Sequence, residues 1–347
     1  MVTETCEVTL AERGSEAEWD GFVGGHPDAT GYHLWRWRKI FEDTFGHEGH
    51  YLIARRAGHI VGVLPLVLFR TTLFGRFAVS LPFVNYGGVV AEDDPAARML
   101  VTYAAAEAKR LRLSHVELRH RRQQFPDLPA RQHKVAMLLD LPSDPETLWG
   151  RLDRKVRNQV RKAEKSGLEV ASGGLELLGN FYEVFAHNMR DLGTPVYSRL
   201  FFQRVLQEFP GVARVVVVKQ AARVVAAGIS YAHRDSLEVP WASSLRAYRS
   251  LCPNNLLYWE VLRQAARDGF RTFDFGRSTP GEGTFQFKLQ WGARPEPLCW
   301  EYHLVSRRTL PDLSPRNPKF KMAIAMWKCL PVRIASLIGP RVVRAIP

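Results

Sequence analysis

Apolar and polar positions alternate in two recurring blocks along the chain. In the first, a period near 3.6 over Trp35–Phe45 predicts a helix. Two strands with a short turn follow over Tyr51–Leu66, and a third apolar run ends at Pro82-Phe-Val-Asn85-Tyr86-Gly87-Gly88. A helix over Pro95–Leu111 and a strand over His115–Arg119 complete the block. The second block repeats the order. Helical periods cover Leu175–Asp191 and Ser198–Phe209. Strands are expected at Ala213–Lys219, Val224–Tyr231 and Leu237–Ala242, then a helix at Asn254–Asp268 and a strand at Thr272–Phe275. Between the blocks, a strand-like Val135–Leu139 runs into Leu141-Pro-Ser-Asp-Pro-Glu146, where Asp144 and Pro145 signal a capped helix start.

Composition narrows the class. The 347 residues exceed one typical core and suit two domains. With 46% hydrophobic and 24% charged residues the chain is an ordinary globular sequence, which excludes a disordered one. The net charge of +13 points to an anionic partner: phosphates, nucleic acid or a membrane surface. Cys6, Cys252, Cys299 and Cys329 are far apart and form no C-x-x-C pair, which fits a reducing compartment and no zinc site. His47-Glu48-Gly49-His50 is one residue short of the metalloprotease spacing. No secretory signal or membrane-spanning run is read, so a cytoplasmic location is expected.

Three segments carry candidate chemistry. Seven of the fifteen residues from Arg151 to Lys165 are basic, and Arg154, Arg157, Arg161 and Lys165 share one helical face. Such a stripe either binds phosphates or is a solvated face. Phe273-Asp274-Phe275-Gly276-Arg277-Ser278 places Asp274 opposite two phenylalanines, an apolar setting suited to a general base. Equally, Asp274 could hydrogen-bond a neighbouring loop and position Arg277 or Ser278. Glu238 is a second candidate base by the same logic. After Asp312 the chain holds no acidic residue, and its basic and apolar positions read as an interfacial membrane segment or a helix docked on the protein, broken at Pro331 and Pro340.

Phe285-Gln-Phe-Lys288-Leu-Gln-Trp291-Gly292, after the D-F-G strand, resembles the C-terminal "FK-x-x-F/W-G" signature of FemAB-type acyltransferases. The subgroup it is most similar to accompanies PEP-CTERM/exosortase polysaccharide systems. Arg157-Asn-Gln-Val-Arg161-Lys-Ala-Glu-Lys-Ser-Gly167 resembles that family's "R-x-x-I-R-K-A-E-K-x-G" element. Tyr248 through Trp259, with Pro253-Asn254-Asn255-Leu-Leu, resembles its "Y-x-P-N-x-L-L-x-W" run, and Pro82–Val90 a strand end lining its acceptor groove.

The resemblance implies an α+β fold of two tandem GNAT-like units, 1–140 and 141–305; the basic amphipathic tail, 306–347, is read from its residues alone. The resemblance also implies a bacterial acyltransferase (EC 2.3) moving an acyl or aminoacyl group to an amine of a cell-envelope or exopolysaccharide precursor. The donor is acyl-CoA or aminoacyl-tRNA, with no metal. The partner is a phosphate-bearing saccharide or lipid-linked acceptor, or tRNA; the tail's own composition, where it is not a docked helix, adds membrane-surface contact through residues 313–347 on the inner membrane. By the same resemblance Arg157 and Arg161 hold phosphate, Lys288 stabilises negative charge or holds phosphate, and Asn85 and Tyr86 touch the acceptor. Arg246, Tyr248, Asn254 and Asn255 supply polar groups at the donor slot, the two asparagines alternatively capping a helix. Trp291 builds the wall. The slot lacks a G-x-G, a departure from acetyl-CoA-dependent relatives. Rival readings are a peptidoglycan-type aminoacyltransferase and a non-catalytic RNA- or membrane-binding scaffold.

Overall fold

A computed structural model of the chain describes residues 6–72, 74–311 and 318–346. In chain order its elements begin with β1 (Glu7–Leu10), α1 (Glu16–Gly25), α2 (Arg36–Phe45), β2 (Glu48–Arg56), β3 (His59–Thr71), β4 (Gly75–Val79), β5 (Val90–Ala91), α3 (Asp94–Arg110) and β6 (His115–His120). The middle holds β7 (Ala130–Asp140), α4 (Pro145–Arg151), α5 (Arg154–Lys165), β8 (Leu168–Gly173), α6 (Leu178–Leu192), α7 (Arg199–Glu208), β9 (Ala213–Gln220), β10 (Arg223–His233) and β11 (Ser236–Ser244). Last come α8 (Pro253–Arg267), β12 (Thr272–Ser278), α9 (Gly283–Gln290), β13 (Arg294–Leu304), α10 (Pro318–Cys329) and α11 (Val332–Val343). Contacts divide the chain into two units. One holds residues 1–133, 297–313 and 344–347; the other holds 134–296 and 314–343.

In the first unit the strand order is β1-β2-β3-β4-β6-β13. The β2–β3 hairpin turns on Ala57 (φ 49) and Gly58 (φ 83), the two positive φ values of a tight primed turn. Alternation along β2 sends Leu52 and Ala54 to one core with Leu100, Ala104 and Ala108 of α3. Tyr51 faces the other side, beside Trp19 of α1 (ring centroids 5.0 Å apart). Parallel pairing of β4 with β6 covers only Ala78↔Val116 and Val79↔Glu117. Beyond it, β6 is met by the loop after β4: Arg119 N–H donates to Ser80 Oγ (2.8 Å) and Gly87 N–H to the Arg119 carbonyl (3.0 Å). Pro82–Gly88, expected as a strand end, is this buried irregular loop. A Cβ on Gly87 would lie 2.4 Å from the Ser80 carbonyl oxygen, so only glycine lets it pass there.

The second unit has the order β7-β12-β11-β10-β9-β8. Four consecutive valines make β9, as their β-branching favours. One face of the sheet packs under α5 and α8, with Val156, Val160, Leu257, Leu262, Phe273 and Phe275 in one core. Trp241 of β11 meets Phe201 and Phe202 of α7 instead. Asp144 caps α4 by accepting from Thr147 N–H (2.9 Å). The basic segment read as one helix is two, because Asp153 starts α5 by accepting from Lys155 N–H (2.6 Å). Gly167 (φ +70) ends it. Pro340, expected to break the tail, lies inside α11, where a proline close to the last turn forfeits few backbone bonds. Both tail helices pack on α6. Residues 312–317, part of the expected membrane segment, lie outside the described residues.

The connections are exchanged with respect to sequence. β7 follows β6 but pairs with β12, Phe273 facing Leu139 and Asp274 facing Leu138. β13 follows β12 but pairs with β6, Cys299 facing His120 and Glu301 facing Leu118.

Candidate active site

The second unit contains a fork. Strands β11 and β12 pair in parallel at Ser236↔Thr272, Leu237↔Phe273 and Glu238↔Asp274, and then part. Past that point β11 keeps to β10 and β12 keeps to β7. The crossover through α8 starts at the end of β11 and so brings that helix's N-terminus to the carboxyl ends of the two parallel strands, where ligands of parallel α/β units bind. Cys252 (φ 58) makes the turn into α8 and Pro253 occupies its first position.

Glu238 and Asp274 are the last paired residues, opposite one another on neighbouring strands, so their side chains share a face. Both are buried. Directly after Asp274 a bulge inserts one extra residue into β12, with Gly276 at φ +74. The Asp274 carboxylate accepts from Gly276 N–H at 2.7 Å. Lys288, reaching in from α9, donates from Nζ to the Gly276 and Arg277 carbonyls, each at 3.0 Å. It is 7% exposed. Burial lowers its pKa from 10.5 to about 8, against the opposing pull of Asp274 and Glu238; nearby Arg277 lowers it further. Two carboxylates and one ammonium thus meet at the root of the fork.

The remaining candidates fall around this centre. Ser278 and Trp291 are buried, and Ser278 Oγ and Trp291 Nε1 have no hydrogen-bond partner. The Trp291 ring lies 6.3 Å from Phe275 and 6.2 Å from Phe287 and from Tyr258. Neither asparagine caps α8: Asn255 donates to Gln159 Oε1 on α5 (3.1 Å), and Asn254 Oδ1 is buried without a partner. Arg246 is exposed; half-buried Tyr248 lies under the Arg223 guanidinium, 5.6 Å from its ring centroid. On α5, Arg157 is half-buried with an unpartnered Nε, while exposed Arg161 sits 5.5 Å over the Trp149 ring. Asn85 and Tyr86 are buried in the first unit's filled loop, Tyr86 with Arg121 5.4 Å over its ring. Sequence reasoning missed Gln159, Asn188, which donates to Ser243 Oγ (3.0 Å), and Lys134, whose Nζ donates to Thr279 Oγ1 (2.7 Å). No spacing pattern marks such contacts, which the fold alone creates.

The first unit lacks this chemistry at the matching place. There Glu117 is the last paired residue, and Arg119 two positions on already holds it (2.7 Å). A depression of about 320 Å³ lies at the start of α3, but Glu92, Asp93 and Asp94 line it. Carboxylates at a helix N-terminus compete for the positive dipole end that an anionic ligand would use. Among the described residues no cluster of His, Cys, Asp or Glu could hold a metal ion.

Residues 150–289 match the acetyltransferase (GNAT) domain family, so the chain carries an acyltransferase domain of the EC 2.3 class. No curated protein matches the sequence. The fold is similar to that of FemX (TM-score 0.69, 14% identity, covering 92% of this chain and 100% of that one). A tandem GNAT protein from the clavulanic acid biosynthesis pathway is also similar (0.54, 11%, 88% and 100%). So is the C-terminal domain of a putative lysylphosphatidylglycerol synthetase from Agrobacterium fabrum (0.51, 11%, 73% and 84%). These likenesses bear out the expected fold of GNAT-like units.

Proposed function

We propose that the second unit catalyses N-acyl transfer at the fork between β11 and β12. The observation that supports this reading best is the pairing that ends at Glu238 and Asp274, with Lys288 buried beside them inside a matched acyltransferase domain. An acyl or aminoacyl donor, as a CoA thioester or a tRNA ester, enters from the open end near the α8 N-terminus. The acceptor amine attacks the donor carbonyl carbon. A C–N bond forms, the C–S or C–O bond breaks, the amine proton passes to the Glu238–Asp274 pair, and the departing thiolate or alkoxide is protonated. Charge on the carbonyl oxygen develops close to the Lys288 ammonium. Arg157 and Arg161 offer guanidinium forks to phosphates of donor or acceptor.

For the acceptor we favour an amine on a phosphate-bearing, lipid-linked precursor of an envelope or exported polysaccharide, handled at the inner face of the membrane. The basic balance of the chain suits a phosphorylated partner, and one structural neighbour bears the name of a lipid-modifying synthetase. The PEP-CTERM association rests on motif resemblance.

The test is calorimetric titration with acetyl-CoA alongside an acyl-transfer assay on amine acceptors, using wild type, Glu238→Gln and Asp274→Asn. Saturable donor binding is expected in all three, with turnover lowered about 100-fold or more in at least one variant, the range for loss of a general base. Full activity in both variants would sink the assignment. Absence of acetyl-CoA binding with activity on aminoacyl-tRNA would select the second donor.

A further inference from the structure

The last helix buries its small residues and exposes its large ones. Helix α11 turns Ala335, Gly339 and Val343 inward, at positions i, i+4 and i+8. A Cβ on Gly339 would stand 2.9 Å from Val196, so this face is fitted for close seating on the body of the unit. Outward it shows Ile334, Leu337 and Ile338, Leu337 at 69% exposure. Helix α10 half-buries Ile324 and Trp327 and exposes Met322 (75%) and Met326 (66%), one turn apart. Of eleven large apolar side chains exposed among the described residues, these two helices hold five. An ordinary docked helix would place such residues inward and polar ones outward. Here the seating is complete without them, so the large side chains serve another contact.

Charge says what that contact is. Lys321, Lys328, Arg333 and Arg341 are exposed on the same two helices, and no acidic residue accompanies them. A protein partner read by five apolar side chains would not require a wholly cationic border, whereas an anionic bilayer does. Each helix has 12 residues, a length of about 18 Å, short of the roughly 30 Å of a hydrocarbon core. No helix among the described residues is long and apolar enough to cross a membrane. We propose that α10 and α11 form a docking surface for an anionic phospholipid bilayer, with Met322, Met326, Ile334, Leu337 and Ile338 dipping below the headgroups and the lysines and arginines lying among them. This deepens the lipid-linked acceptor proposed above by naming where the surface that carries it is met.

Flotation of the full chain with vesicles tests this without any need for turnover. With phosphatidylglycerol–phosphatidylcholine vesicles at low salt the protein is expected to float; with pure phosphatidylcholine it stays below. The double variant M322S/L337S should lose about ten-fold or more of the partition, since each side chain gives up most of its burial. R333Q/R341Q should lose a similar factor, and salt should weaken what remains of wild-type binding. All four positions are exposed, so thermal melting should match wild type and exclude misfolding as the cause. Wild type remaining below with anionic vesicles would overturn the proposal, as would M322S/L337S floating as well as wild type. A dimer dissolved by M322S/L337S in the absence of any flotation would assign the patch to a second copy instead. An acetyl-CoA titration unchanged in M322S/L337S separates failure here from failure of the proposed transferase.

Discussion

Lys288 is the residue at which fold and chemistry cannot be pulled apart. Its two hydrogen bonds tie down the bulge that Asp274 also holds, and its charge compensates two buried carboxylates. At about pH 9, where the wild-type amine is already largely neutral, Lys288→Met keeps the length but leaves the Gly276 and Arg277 carbonyls without this donor in the interior. That should cost about 1–3 kcal/mol, the scale for buried polar groups left without a partner, read as a fall in the denaturation midpoint. The pH dependence has a definite sign. With the folded pKa lowered to about 8 from 10.5, Lys288 is protonated in both states below pH 8 and its burial penalty is then complete. From about pH 8 towards 10.5 the folded protein releases the proton while the unfolded chain keeps it, so this group's contribution to stability rises with pH. Activity should move the other way if the ammonium stabilises the oxyanion: kcat falls above about pH 8. A wild-type profile that stays flat through pH 9 would remove the ammonium from the transition state. The sequence shows Lys288 only as a member of a motif, with a surface charge as the plain alternative. That it is buried depends on α9, a helix that is not among the elements expected from the sequence and whose Phe285, Phe287 and Leu289 all find one core.

Among the elements, the divergence of β11 from β12 is what makes a site, and the bulge at Gly276 sets its shape. An L-residue at φ +74 is strained, so Gly276→Ala should cost about 1–2 kcal/mol. Because both carbonyls bound by Lys288 sit on the bulge, turnover should drop further than stability alone explains. Comparing kcat and the melting midpoint of Gly276→Ala decides: a stability loss with unchanged kcat would make the bulge a packing feature only. The first unit has the same parallel pairing but fills the fork with Ser80–Gly87, so a shared order of elements does not imply a shared site. Much at this scale was legible. The valines of β9, the cap at Asp144 and the period of α8 reveal themselves through rules that act over a few residues. β1, α1, β8 and β13 went unread, being short or lacking a clean period. The filled fork was out of reach too, since Pro82–Gly88 has the apolar density of a strand and its path is decided by the edge of β6.

The exchange of β7 and β13 operates on the whole molecule, and no local pattern encodes it: either strand would satisfy a nearest-neighbour reading. Its energetic anchor is Glu301 on β13, fully buried and accepting from His120 Nδ1 (2.6 Å), Phe125 N–H (2.6 Å) and Gln124 N–H (3.1 Å). All three donors come from the first third or so of the chain, 176 or more residues earlier. Glu301→Ala strands them in the interior and should cost about 3–5 kcal/mol, as for other broken buried pairs. A stronger consequence concerns fragments. Cutting at the Leu141–Asp144 connection gives an N-terminal piece without β13 and a C-terminal piece without β7. The first then exposes the edge of β6 and the donors to Glu301; the second exposes the edge of β12 that carries Asp274. Neither edge is short or guarded by proline, so each piece alone should aggregate or unfold without cooperativity. Mixed or co-expressed, the two pieces each supply the strand the other lacks, and a single soluble complex with one cooperative melt is expected. Size-exclusion chromatography and thermal melting of the separate and combined fragments read this directly. A cooperative melt from residues 1–140 alone would show that the first unit closes without β13, and would reduce the exchange to a detail of connection.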